Sequence, residues 1–244
     1  MAVADETPYV GHELELFALT THWKRYVKAE IGKYLFGDVL EIGAGIGSTT
    51  RALHDGTIRR WICVEPDANQ AKCLRAALTN SWGVCAPGVI AGSLRALAER
   101  PSFDCVLYLD VLEHIQDDRR QIEAAARLVR PGGHIVVLSP AHQWLFSEFD
   151  KSVGHIRRYS KRTLRSLMPS GWIEKKLVYL DSIGVLLSLA NVLALRQSLP
   201  SRLQLSIWDR LCVPLSRVVD CVLLGSFGKS VLAVWRRPYD SDDS

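Results

Sequence analysis

The sequence predicts an α/β fold with a doubly wound parallel sheet. Three observations support this prediction: apolar segments of strand length alternate with helix-length stretches, the segments are apolar almost throughout, and unusual residues follow their ends. Strands of this kind separated by helices form parallel sheets that are covered on both faces. Such sheets bind ligands at the carboxyl ends of their strands.

The first 140 residues supply most of the sheet. Apolar positions between residues 13 and 33 recur every three to four residues, which indicates an amphipathic helix. In chain order, the predicted elements are a helix at 13–33, a strand at 39–42, a helix at 48–54, a strand at 61–65, a helix that Pro66 and Asp67 open and that runs to about residue 78, strands at 89–92 and 104–110, a helix at 118–129, a turn at 130–133 and a strand at 134–139.

The last hundred residues have a different character. The predicted elements are a basic amphipathic helix at 160–167, a strand at 173–180, two strongly apolar helices at 182–195 and 203–224 joined through residues 197–200, and a final strand at 230–235. The two apolar helices resemble an insertion for contact with a substrate, a partner or a membrane. We expect a single domain over residues 1–244, with residues 140–225 as its substrate side.

Composition narrows the class of protein. The 244 residues are 48% hydrophobic, which is ample for a packed core, and the formal net charge of +4 is too mild for a dedicated nucleic-acid binder. Residues 1–8 lack the pattern of a signal peptide, and no apolar run reaches the ~20 residues of a membrane helix. We therefore expect a cytoplasmic protein. Six cysteines without a CxxC pair are interpreted as buried, reduced thiols.

A candidate cofactor site follows the first strand. Gly43, Gly45 and Gly47 form a GxGxG turn in which backbone can approach a ligand closely, and Glu41 precedes it by two residues. An acid at that place can meet an ammonium group through water or backbone. Glu65 ends the second strand, where a carboxylate can accept both hydroxyls of a ribose. The alternatives are a structural turn and a solvated acid at a strand end.

Four segments together resemble the successive motifs of class I S-adenosylmethionine (SAM)-dependent methyltransferases: residues 41–47, 64–67, 103–115 and 130–133. Residues 147–159 resemble a bacterial subgroup of type 11/12-like methyltransferases. The resemblance implies a Rossmann-like seven-stranded sheet of order 3-2-1-4-5-7-6, SAM as cofactor and S-adenosylhomocysteine as product.

The resemblance also implies further cofactor contacts. Many members carry an acid after the third strand, whereas this chain has Gly92-Ser93-Leu94, so the Ser93 hydroxyl and the Leu94 amide are the candidates there. The other cofactor residues expected are Ala44, Pro66, Asp110, Arg25 and Tyr26. Of these, Arg25 and Tyr26 lie on the first helix and would cap the cofactor carboxylate.

Four residues are candidates for catalysis, because an oxygen nucleophile benefits from a general base. His114 follows the fourth strand as a base or a cofactor contact, and His142 follows the fifth. His155 and Tyr159 lie in a dense polar segment whose Arg157 and Arg158 suit a carboxylate or phosphate of the substrate. Trp144 is the third substrate-binding candidate. A solvated charged loop is the alternative.

These observations favour O-methylation of a small-molecule acceptor in natural-product biosynthesis. Neither the proline turn of base-modifying enzymes nor a metal-ligand spacing is evident, so we expect no nucleic-acid partner and no metal. Two other hypotheses stay open: a methyltransferase for a glycan- or lipid-linked acceptor at the membrane, and a non-catalytic interaction module with the same fold. The apolar C-terminal helices are compatible with membrane contact or a homodimer.

Overall fold

The computed structural model describes residues 12–83, 86–97, 100, 102–195 and 197–239. Its strands are β1 (Asp38–Ile42), β2 (Arg60–Glu65), β3 (Gly88–Ala91), β4 (Phe103–Leu109), β5 (Val129–Pro140), β6 (Ile173–Leu180) and β7 (Ser230–Arg236). Its α-helices are α1 (His12–Ala18), α2 (Thr21–Ile31), α3 (Ser48–Leu53), α4 (Ala68–Trp82), α5 (Asp118–Leu128), α6 (Glu148–Ser152), α7 (Lys161–Arg165), α8 (Ser182–Ala190), α9 (Arg202–Ile207) and α10 (Val213–Val222).

The seven strands form one sheet of order β3-β2-β1-β4-β5-β7-β6, so the predicted Rossmann-like order is confirmed. Strands β1 to β5 pair in parallel, whereas β7 runs antiparallel to both β5 and β6. The parallel strands end at one edge of the sheet, and this edge gathers the loops that follow each of them.

The sheet is buried on both faces. All five residues of β1 are buried, and the interior part of β5 is equally enclosed. One apolar cluster includes Trp23, Trp61 and Trp208 on one face, and the other includes Tyr108, Ile122 and Trp235. Coverage on both faces explains why these strands are apolar throughout rather than alternating.

The predicted helix over residues 13–33 is wrong in one respect, because the chain breaks between α1 and α2. The Thr20 hydroxyl donates to the Phe17 carbonyl at 2.7 Å. The carboxylate of Asp209 accepts hydrogen bonds from the backbone amides of Thr21, His22 and Trp23. A side chain from the far end of the sequence thus caps the start of α2.

Other predicted bounds are also corrected. The turn predicted at 130–133 is part of β5, because Val129 already pairs with Phe103 of β4. The helix predicted at 160–167 is limited to α7. The two apolar helices contain π-helical turns at Asn191–Leu195 and Trp208–Cys212, the second of which joins α9 to α10 without a break.

Some expectations concern residues outside the described ranges, namely residues 1–8, the tail at 240–244 and Cys85. Of the described cysteines, Cys63 and Cys105 are buried as expected, whereas Cys73 and Cys221 are exposed. Within the described part of the chain, every helix is too short or too polar to cross a bilayer.

Candidate active site

A cavity of about 1450 Å³ opens at the carboxyl ends of the parallel strands. Its walls come from the turns after β1, β2, β3 and β4, from α1 and α2, from residues 147–158 and from the region of α8 and α9. This is the location that the parallel sheet predicts for a ligand.

The glycine turn forms the floor of the cavity. Gly43 and Gly45 have φ angles of 67° and 55°, which glycine adopts without strain. A Cβ atom at Gly43 would lie 2.7 Å from Val111, so the turn after β4 packs directly on it. Both glycines and the intervening Ala44 border the cavity, as predicted.

Gly47, the third glycine predicted to bind the cofactor, is set apart from Gly43 and Gly45. It does not appear in the cavity wall. A Cβ atom there would lie 2.5 Å from Leu74 of α4, so the missing side chain permits close packing of the turn against that helix. Gly47 therefore supports the turn by its packing against α4.

Glu65 is held in place by the glycine turn itself. Its Oε2 accepts from the amide of Gly45 at 2.8 Å and its Oε1 accepts from the amide of Asp67 at 3.0 Å. Burial raises the pKa of its carboxyl, while these two bonds act in the opposite direction. Each oxygen keeps a further lone pair, so the carboxylate fits a pair of ribose hydroxyls.

Glu41 borders the cavity but is bound to the protein interior. Its Oε2 accepts from the Thr50 hydroxyl at 2.7 Å and from the Trp61 indole at 2.9 Å. Burial raises the pKa of this carboxyl to about 7. The side chain thus connects the turn to α3 and β2. Its contact with a ligand ammonium group through water or backbone stays a prediction.

Helix α2 presents a different face from the one predicted. Thr20, Trp23, Lys24 and Val27 border the cavity at the spacing of one helical face. Arg25 and Tyr26 do not: Arg25 is exposed, and the Tyr26 hydroxyl donates to Asp220 at 2.8 Å. The structure does not bring these two residues to the cavity, because the break before α2 sets which face turns inward, and their contact with the cofactor stays a prediction.

Lys24 is a site residue that the sequence interpretation missed. It is buried, its Nζ donates to the carbonyls of Phe17 and Ala18, and burial lowers its pKa to about 8. A lysine between Trp23 and Val27 on an apolar helical face was the signal that could have identified it. Its position suits a ligand carboxylate.

The remaining predicted cofactor residues lie where expected. Pro66, Ser93, Leu94 and Asp110 all border the cavity. Asp110 is exposed to the cavity but surrounded by protein on its other sides. Burial raises the pKa of its carboxyl to about 6, while the charges of His155 and Lys229 act in the opposite direction.

His155 stands at the centre of a buried polar cluster on the opposite wall. Its Nδ1 lies 2.8 Å from Oδ1 of Asp150. Arg158 donates to both oxygens of that carboxylate, at 2.8 and 2.9 Å. Burial alone would raise the pKa of Asp150, but the bonds from His155 and Arg158 lower it to about 2. Asp150 is therefore ionised at neutral pH and accepts the Nδ1 proton of His155.

Glu113 faces the other nitrogen of His155. Its Oε1 lies 3.8 Å from Nε2 of His155, and the residue is completely buried. Among the described residues, neither oxygen of Glu113 has a hydrogen-bond partner. Burial raises the pKa of this carboxyl well above its ordinary value. Burial therefore favours the protonated, uncharged form of Glu113.

His114 completes the cluster. Its ring centroid lies 4.7 Å from that of His155, and its Nδ1 lies 3.2 Å from the Gly154 carbonyl. Burial lowers its pKa to about 4, so the ring is neutral. Glu113, His114 and His155 offer ligand atoms within 4.8 Å of one another and could hold a metal ion. The expectation that the site has no metal stays a prediction.

Four predicted catalytic or substrate residues lie outside the cavity wall: His142, Trp144, Arg157 and Tyr159. The ring of His142 packs on Tyr179 and on the exposed Trp144, with centroids 4.6 and 5.4 Å away. Arg157 and the Tyr159 hydroxyl both donate to Asp118, each at 2.7 Å. The structure does not bring these four side chains to the cavity, because they pack and anchor the loops around it, and their roles in catalysis or substrate binding stay predictions.

Comparison with known proteins agrees with this geometry. Residues 40–137 match the family model described as a methyltransferase domain. Two stretches of the chain resemble ubiquinone biosynthesis O-methyltransferases, one from Alkalilimnicola ehrlichii at 46% identity over 39 residues and one from Paracidovorax citrulli at 34% over 101. A third relative is norajmaline N-methyltransferase from Rauvolfia serpentina, 29% identical over 109 residues.

These alignments cover part of each protein. They span 16%, 40% and 43% of this chain and 16%, 41% and 37% of the respective relatives. Among solved structures, an N-methyltransferase from Bradyrhizobium japonicum in complex with S-adenosyl-L-homocysteine aligns over 89% of this chain and 85% of its own, with a TM-score of 0.55 and 17% identity.

The predicted resemblance to class I SAM-dependent methyltransferases is thereby confirmed. The S-adenosyl-L-homocysteine bound to the Bradyrhizobium japonicum neighbour is consistent with SAM, the cofactor that this resemblance implies. The matched residues 40–137 contain the glycine turn, Glu65 and Glu113. His155, Asp150 and the apolar helices lie beyond the match, in the part of the chain that borders the other side of the cavity.

Proposed function

We propose that this chain, whose residues 40–137 carry a methyltransferase domain, transfers a methyl group from SAM to a hydroxyl oxygen of a small-molecule acceptor in a biosynthetic pathway. The main support for the proposal is His155, which borders the same cavity as the glycine turn and is held there by the buried Asp150. We assign residues 140–225 to the acceptor side of that cavity.

The chain offers a matching group for each part of the cofactor. Glu65 suits the ribose hydroxyls, the backbone of Gly43 and Gly45 allows close approach, and Ser93 with Leu94 borders the place for the adenine. Lys24 suits the carboxylate of the amino-acid end. When bound, SAM supplies an electrophilic methyl group on a sulfonium, and the enclosing walls exclude water from it.

His155 is proposed as the general base. The ionised Asp150 accepts the Nδ1 proton, so Nε2 is the nitrogen that is placed to take a proton from the acceptor. As the acceptor oxygen takes the methyl group, whose bond to the sulfonium sulfur would break to leave S-adenosylhomocysteine, its proton would pass to Nε2 of His155. Burial favours the uncharged form of Glu113, whose Oε1 lies 3.8 Å from Nε2. Asp150 then stabilises the imidazolium.

Two other functions have less support. The exposed apolar helices beside the cavity favour an acceptor linked to a lipid at a membrane as the second candidate. A non-catalytic interaction module would not require a cavity of this size, nor a buried histidine and carboxylate pair directed into it. The relatives include both O- and N-methyltransferases, and the placement of a base favours oxygen.

Transfer of label from SAM tests the proposal. The full chain is incubated with SAM tritiated in the methyl group and with matched pairs of phenols and anilines. We expect label in the phenol products and strong loss of labelling in His155→Ala. Label restricted to amines would refute the hydroxyl assignment. Bound SAM without label in any acceptor would favour the interaction module.

A further inference from the structure

Helices α9 and α10 carry an exposed apolar stripe. The stripe consists of Leu203, Ile207, Leu211, Leu215, Val218 and Val222. These side chains recur every three to four residues along one uninterrupted helical segment, residues 202–222, and each is between 43% and 79% exposed. Single exposed apolar residues are ordinary, but a continuous row of six marks an interaction surface.

The opposite side of the same segment faces the protein core. Leu205, Trp208, Val213 and Ser216 are all buried there. The stripe is therefore not a poorly packed core face, because a separate face of the helix already fills that role. The exposed apolar side chains of the stripe are therefore available to contact a binding partner outside the folded chain.

The exposed charges of residues 202–222 are all positive. Arg202, Arg210 and Arg217 are exposed. The two acids are buried: Asp209 accepts from the amides at the start of α2, and Asp220 accepts from Tyr26 and from the amides of Asp181 and Ser182. The segment thus presents an apolar stripe accompanied only by cations, as do helices that lie on anionic membranes.

A second copy of this chain is a poorer occupant. A two-fold contact through the stripe would bring two sets of arginines together without a carboxylate from either helix segment to pair with them. An anionic bilayer supplies both the apolar layer for the leucines and the phosphates for the arginines.

The stripe adjoins the mouth of the cavity. Ile207 of the stripe also borders the cavity. Leu187 of the neighbouring α8 is exposed and borders the cavity too. Leu186 and Leu193 extend the exposed apolar surface on that side. A surface bound to the stripe would therefore lie next to the entrance of the site.

We propose that residues 202–222 dock the protein on an anionic lipid bilayer, with the cavity mouth at the membrane surface. The docking stands on the stripe and its arginines alone. Its consequence, that an acceptor with an apolar chain enters from the bilayer, rests on the proposed methyl transfer.

Co-sedimentation of the full chain with vesicles tests the docking. Vesicles of phosphatidylcholine with about one third phosphatidylglycerol are compared with vesicles of phosphatidylcholine alone. We expect the protein to sediment with the anionic vesicles and to bind them less as salt is raised. Replacement of Leu211 and Leu215 by Ser should lower vesicle affinity roughly tenfold or more. Arg210→Gln with Arg217→Gln should remove the preference for anionic lipid.

Ile173→Ser is the matched control, because Ile173 is also an exposed apolar side chain but lies on β6 at the edge of the sheet. SAM affinity of each variant, measured by titration calorimetry, verifies that the fold and the cofactor site are intact. Vesicle binding requires neither methyl transfer nor an acceptor, so it fails or succeeds independently of the proposed function.

Two results would overturn the docking proposal. One is wild-type protein that stays in the supernatant with anionic vesicles. The other is a concentration-dependent dimer in sedimentation velocity that the serine variant of Leu211 and Leu215 abolishes, because the stripe would then belong to a second copy of this chain.

Discussion

The Nδ1 atom of His155 lies 2.8 Å from a carboxylate oxygen of Asp150. This carboxylate is completely buried and accepts two hydrogen bonds from Arg158. The arrangement fixes the orientation and the tautomer of the imidazole before any substrate enters. It directs Nε2 into the region of Glu113 and the cavity. The proposed role of His155 as a base depends on this relationship.

Replacement of His155 by Ala should therefore separate catalysis from cofactor binding. We expect kcat to fall roughly 10²- to 10⁴-fold, the usual range for a general base, while the affinity for SAM stays within about twofold. Steady-state kinetics and titration calorimetry measure the two quantities. Ile156→Ala is the control, since this exposed neighbour lies on the same loop. Equal losses of SAM affinity and kcat would reassign His155 to cofactor binding.

The same cluster makes a prediction about metal ions. Nε2 of His155 cannot accept a proton and coordinate a cation at the same time, and Nδ1 of His114 is directed at the Gly154 carbonyl. We expect protein dialysed against a chelator to keep its full methyl-transfer rate. If the rate were lost and then restored by Mg²⁺, Mn²⁺ or Zn²⁺, Glu113, His114 and His155 would be metal ligands instead.

The sheet was largely predictable from the sequence, whereas the helical entry to the site was not. Apolar runs marked the parallel strands to within a few residues because both faces of the sheet are covered. The break between α1 and α2 depends on Asp209, which is 186 residues away from Trp23 along the chain. Contacts over such a distance leave no signal in local periodicity, and the same break decides that Lys24 faces the cavity and Arg25 does not.

The candidate site shows the same division. Glu65 and the glycine turn could be assigned because their places follow from where strands end. Among Arg157, Arg158 and Tyr159, sequence alone gave no means of choosing. Arg157 and Tyr159 donate to Asp118, away from the cavity. Arg158 donates to Asp150 and lies in the cavity wall. The partners that decide the orientation of neighbouring side chains are set by tertiary packing.

Glu41 predicts a specific dependence of stability on pH. Burial raises the pKa of its carboxyl from 4.5 to about 7, so the folded protein holds a proton there that the unfolded chain has lost. This carboxyl therefore lowers the free energy of unfolding as pH rises from about 4.5 to 7, by up to about 3 kcal/mol. In Glu41→Gln, which keeps an oxygen to accept from Thr50 and Trp61, the decline should be smaller.

Denaturant unfolding at pH 5 and at pH 7.5 measures this difference. Glu148→Gln serves as the control, because Glu148 is more than half exposed and pairs with Lys151 at the surface. A decline in Glu41→Gln equal to that of the wild type would show that Glu41 is already ionised in the folded protein at pH 5.

Calorimetric titration of the full chain with SAM measures whether the turn at Gly43 to Gly47 and Glu65 bind the cofactor. Glu65→Ala should weaken binding by about 1–3 kcal/mol, because two ribose hydroxyls lose their acceptor. Glu148→Ala should bind as the wild type does. We expect saturable binding to the wild type and binding weakened by this amount in Glu65→Ala. No heat of binding at millimolar SAM, or equal affinity in Glu65→Ala and the wild type, would contradict it.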